Sequence, residues 1–209
     1  MAAYKILAIF MVLFLVQSSL AKPLDDSSNL FDSSEEEIRK NPTAAQKLLL
    51  FAIDNFLAIG KQYSANAVNV SRNILQDESM VANDKPEVLE FKKNLTMFVE
   101  KYEANKKPLQ WWDIIEIYTD TTDKYSHIPE EKVTPESTFI VEILKKYNSD
   151  KMALEIAPKF KIFIDDFEKM FEENKAELDK DMLEWYEKYS HFTDMEQKID
   201  AFSGFIDMA

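Results

Sequence analysis

The chain has 209 residues, with 38 acidic side chains against 25 basic ones and a formal net charge of −13 at pH 7. A surface of that sign repels nucleic acid and anionic membranes and tolerates cationic partners. The absence of cysteine excludes disulfides, thiolate nucleophiles and thiolate metal sites, so packing alone must hold the fold.

In chain order, residues 1–21 read as a secretory leader. Lys5 is followed by the apolar run Ile6 to Val16, and Ser19-Leu20-Ala21 supplies small residues for cleavage. The run is too short to span a bilayer, and no later segment is apolar enough to do so. Residues 22–36, acidic and serine-rich, read as a flexible arm. Residues 37–209 read as a single helical domain. The sequons at Asn69 and Asn94 fit export and predict glycosylation at both.

The first long helix is expected over about 41–76, with Asn41 as N-cap and Pro42 in the first turn. Its seam runs Leu49, Ile53, Phe56, Gly60, Tyr63, Ala67, Val70 and Ile74, in alternating steps of four and three. A glycine on that seam costs about 1 kcal/mol against alanine. Close approach of a helix or an aromatic ring would account for it. A second helix starts near Pro86 (Val88, Phe91, Leu95, Phe98, Tyr102). A third follows Pro108 (Trp111, Ile115, Tyr118, Thr122, Tyr125), and a fourth follows Thr134-Pro135 (Ile140, Leu144, Tyr147). The next begins after Ser149-Asp150 and must kink or split at Pro158. Beyond it a seam continues from Phe160 to Tyr189, predicting a second long helix over 158–191. Thr193-Asp194-Met195-Glu196 has the form of a capping box and opens the last helix. The fold class that follows is all-α, an antiparallel bundle of five to seven amphipathic helices.

Chemistry-bearing patterns are sparse. No GxSxG stretch occurs, and Gly60 and Gly204 stand too far apart for a phosphate-cradling loop. Neither a catalytic constellation nor a cofactor is expected. Trp111 occupies the seam, and the adjacent helix position lies about 100° away. Trp112 is therefore expected on the flank, partly exposed, as a candidate contact for a partner protein. Phe160, Phe163, Phe167, Met170 and Phe171 are expected as ordinary core packing at helical spacing, with a candidate apolar pocket as the alternative.

His127 and His191 lie in related stretches, DKYSHI and EKYSHF, each four residues after a carboxylate, Asp123 or Glu187. Tyr125 and Tyr189 fall on the seams. The histidines, two residues on, are about 200° away around the helix. Both acid–histidine pairs are thus expected to face solvent, as a repeated way of ending a helix rather than a zinc site.

These readings describe a secreted, non-enzymatic helical protein that binds an extracellular protein or receptor. The alternative is a carrier of a lipid or another small apolar ligand in the bundle core. The long seam also fits a homodimer.

Overall fold

The computed structural model describes residues 39–105 and 110–208, apart from the side chains of Ala153, Glu196, Ser203, Ile206 and Asp207. The leader, the acidic arm and the Glu196 half of the expected capping box lie outside what is described. Regular structure among the described residues is helical, with no strand, as an all-α chain requires. The helices are α1 Ala44–Gln76, α2 Glu78–Ala82, α3 Pro86–Ala104, α4 Trp111–Asp123, α5 Pro135–Lys146, α6 Met152–Asn174, α7 Lys180–Ser190 and α8 Met195–Met208. The described residues fall into two compact units, 57–158 and 39–56 with 159–208.

Local chemistry sets the helix starts. Thr43 Oγ1 accepts from the Gln46 amide at 3.2 Å, and Gln46 Oε1 accepts from the Thr43 amide at 3.0 Å. This reciprocal cap satisfies two orphan donors at once, so Thr43 opens α1 in place of the expected Asn41. Thr134 and Ser137 do the same for α5, with Pro135 pre-set at the first helical position. Asp179 Oδ1 accepts from the Met182 amide at 2.9 Å and starts α7.

That last cap corrects the expected long helix over 158–191. The chain leaves α6 at Asn174, makes a 3-10 turn at Lys175–Glu177, passes through extended Leu178 and restarts at Lys180. Pro158, by contrast, does not split α6. The carbonyl it leaves without an amide donor belongs to Leu154, whose side chain is 64% exposed, so water can reach that turn.

In the unit of residues 57–158, α3 packs on α4 and α5. Val88, Phe91, Leu95 and Phe98 are all buried, as their spacing predicts. Phe98 lies 5.2 Å from the Tyr118 ring, and Phe91 meets Tyr125 edge-on at 5.5 Å. Asp77 is a structural corner. It caps α2 through the Ser79 and Met80 amides and accepts from Lys146 Nζ and, at 2.8 Å, from the Tyr147 hydroxyl. Lys146, then Ser79 and Tyr147, hold its carboxyl well below the usual carboxylate range.

In the other unit, aromatic rings fill the core. Phe167 centres on Phe202 at 4.6 Å and Phe205 at 5.2 Å, Phe163 lies 5.1 Å from Phe202, and Phe171 stacks on Tyr186 at 3.9 Å. Trp185 is held by its indole N–H, which donates to the Ala201 carbonyl at 3.0 Å.

Candidate functional site

The second half of α4 reads Tyr118-Thr119-Asp120-Thr121-Thr122-Asp123. Tyr118, Thr119, Thr121 and Thr122 are all buried, which is polar content uncommon for a helix core. The threonines are satisfied locally. Thr119 Oγ1 donates to the Glu116 carbonyl at 3.1 Å, Thr121 Oγ1 to Ile117 at 2.6 Å and Thr122 Oγ1 to Tyr118 at 3.0 Å. Their hydroxyl protons are thereby committed to the helix, and their oxygens keep acceptor capacity.

A cavity of about 270 Å³ lies beside this face, within the unit of residues 57–158. Helix α4 contributes Tyr118, Thr119, Thr122 and Asp123, and the turn after it contributes Tyr125 and Ser126. Tyr63 comes from α1, Val141, Leu144 and Lys145 from α5, and Ser149 and Asp150 from the 3-10 turn that follows. The wall is therefore mixed: phenols, hydroxyls and carboxylates beside a short aliphatic strip.

The Tyr118 hydroxyl and Ser149 Oγ lie 2.6 Å apart and share a hydrogen bond. Tyr63 is 7% exposed, and its ring meets Tyr118 edge-on at 6.4 Å. Tyr63 lines the cavity within electrostatic reach of Asp123. Burial pushes the Tyr118 phenol up to about 12. Burial, then Glu87 and Glu90, push Tyr125 up to about 12. Tyr63 is raised by burial too. All three phenols stay neutral at any physiological pH. Asp123 is half-buried. Burial first, then Asp120, raise its carboxyl above the ordinary range, and His127 partly offsets this.

Asp123 is thus a correction to the sequence reading. It was expected at solvent and instead lines the cavity, while His127 is exposed in the turn after α4. The related pair differs: Glu187 and His191 are both exposed, and the His191 ring bonds the Glu187 backbone carbonyl. No cluster of three metal-ligating side chains occurs among the described residues.

Trp112 is a second correction. It is 6% exposed, not on a flank, and its ring lies where a Cβ on Gly60 would be, 2.8 Å from Cε2. Trp111 takes the half-buried position against Tyr102, at 5.0 Å. Gly60 thus has the aromatic neighbour its seam position called for. Of the candidate apolar pocket, Phe160, Phe163, Phe167 and Phe171 are fully buried in the ring-packed core, and Met170 is half-buried. Asn69 is exposed on α1, while Asn94 is half-buried on α3. Among the described residues, no helix is long and apolar enough to cross a membrane.

No protein-family model, curated protein or solved structure matches this chain.

Proposed function

We propose that this chain is a secreted, non-enzymatic binding protein whose ligand is a small, partly polar molecule held in the cavity beside α4. One observation carries the reading. Tyr63 is more than nine-tenths buried and lines a cavity of about 270 Å³ together with Tyr118, Asp123 and Asp150. Concave walls with a few convergent polar groups on an apolar base are the ordinary form of small-molecule sites.

The wall also carries Asp123, Asp150 and Lys145, charged groups that a wholly apolar cargo would leave unpaired. Catalysis is not favoured either, since the Ser149 hydroxyl is bonded to a phenol rather than to a base. Binding to a protein partner through Trp112 loses its basis, because that indole is packed inside the chain.

Native mass spectrometry of the protein collected from its own secretion medium tests the proposal. Ser126 is exposed and lines the cavity, so Ser126→Trp brings an indole into that space. A small-molecule adduct on the wild type that is missing from Ser126→Trp is the expected result. An adduct retained by the variant would place the ligand elsewhere.

A further inference from the structure

We infer that the ligand of this cavity is a small organic cation, a protonated amine on an aromatic or short apolar body, with the Asp123 carboxylate as its counter-ion. The inference rests on the cavity being a ligand site and goes on to name the ligand's chemistry.

Four features of the wall agree on the sign of the charge. Asp123 is half-buried and lines the cavity, and Asp120 adds a second negative charge near it. A carboxylate withdrawn from water gains most from a cation that hydrogen-bonds to it directly. His127 acts on it from an exposed turn. The phenols of Tyr63 and Tyr118 supply the second feature, since tyrosine rings attract an ammonium and phenol oxygens accept its protons. Third, Thr119 and Thr122 present acceptor oxygens whose own protons are committed to α4. A wall rich in acceptors suits a ligand head rich in N–H donors. Fourth, Asp150 lines the same cavity, and Glu87 and Glu90 lie near Tyr125.

Among the described residues Lys145 is the lysine that lines the wall, and it is exposed in the last turn of α5. An anion drawn to it would sit in the same small cavity as the Asp123 carboxylate. The chain's net charge of −13 further depletes anions near the surface and concentrates cations.

Size narrows the class. At about 30 Å³ per water, the cavity holds about nine water volumes, which suits a ligand with about that many non-hydrogen atoms. Val141 and Leu144 give an apolar body something to lie against.

Three probes with one body and different heads test this: phenethylamine, phenylethanol and phenylacetate, titrated calorimetrically into the intact secreted chain at neutral pH. Phenethylamine is expected to bind one site, about tenfold or more tighter than phenylethanol, with phenylacetate the weakest. Asp123→Asn is expected to abolish the preference for amine over alcohol while keeping the affinity for the alcohol. Because burial disfavours the Asp123 charge, the ligand-free variant is expected to melt no lower than wild type, which a purely structural carboxylate would not allow. The wild-type amine-to-alcohol ratio is decisive without any variant. An alcohol that binds as tightly as the amine, an amine preference that survives Asp123→Asn, or phenylacetate as the tightest probe overturns the inference. If those probes are still blocked by Ser126→Trp, the cavity remains a ligand site of different chemistry. If no probe binds, or Ser126→Trp blocks none of them, the cavity reading fails together with the inference.

Discussion

Replacing either glycine by alanine is the same chemical change, yet the structure assigns the two sites opposite signs. In a helix interior, alanine is better than glycine by about 1 kcal/mol. At Gly204, in α8, a new Cβ would lie 3.6 Å from Trp185 Nε1 and 3.7 Å from Cδ1, which is ordinary contact. Gly204→Ala should therefore stabilise, by somewhat less than about 1 kcal/mol because the helix ends four residues on. At Gly60 the Cβ would meet Trp112 Cε2 at 2.8 Å and Cζ2 at 2.9 Å. Those atoms belong to a rigid ring that is 6% exposed and has little room to retreat. Overpacking of this kind costs about 1–3 kcal/mol, more than the propensity gain, leaving a net loss of about 1 kcal/mol. Thermal melting reads both variants, at about 2–4 °C per kcal/mol for a chain of this size. Trp112→Phe removes the clashing atoms, so Gly60→Ala should turn from harmful to helpful in that background. A stabilising Gly60→Ala in the Trp112 protein, or an equal cost in both backgrounds, would refute the claim that the indole dictates glycine there.

Three further outcomes are expected. Tyr63→Phe removes a hydroxyl from the cavity wall, so the ligand-free melting temperature should hold while calorimetric affinity for the amine probe falls. Amine affinity should also weaken on acidification, beginning above the usual carboxylate range, because burial and Asp120 raise the Asp123 carboxyl. Titrations at stepped pH check this, and the Asp123→Asn protein should lack the dependence. Asp77 behaves oppositely. Its carboxyl is depressed in the folded state, so its contribution is complete above the ordinary range of about 4 and is lost as pH falls through the depressed value. The stability gap between wild type and Asp77→Asn in urea should therefore close in strong acid.

Much of the fold was legible because the chain marks its helix starts with strong local signals. Pro86 and Pro135 sit at first helical positions, and the stripe Val88, Phe91, Leu95, Phe98 gave the buried face of α3 directly. Errors arose where a tertiary fact outranked a pattern. On α1 the expected Leu49 and Ile53 are half-buried, whereas Leu48 and Ala52 are buried. A straight helix of 3.6 residues per turn drifts off a strict heptad, and apolar neighbours on either side of the seam hide the drift. The break between α6 and α7 was masked for a similar reason. Leu178 extends the apolar spacing across the turn, while the decisive Asp179 cap is a single polar residue among many. The four-three spacing puts Trp111 on the seam, and the space opened by Gly60 on another helix selects Trp112 instead.

The cavity had one trace in the sequence. Thr122 stands at a seam position where an aliphatic residue is the norm, flanked by Thr119 and by carboxylates on either side. That a polar seam borders open space, and that Tyr63 arrives there from α1, depends on how separate helices meet, which no local pattern encodes.

A crystal of the protein soaked with phenethylamine tests the central claim most directly. The account predicts density for the amine in the cavity beside α4, its nitrogen about 3 Å from an Asp123 carboxylate oxygen and its ring toward Val141 and Leu144. Ordered water alone in that cavity at saturating amine, or an amine seated away from Asp123, would contradict it.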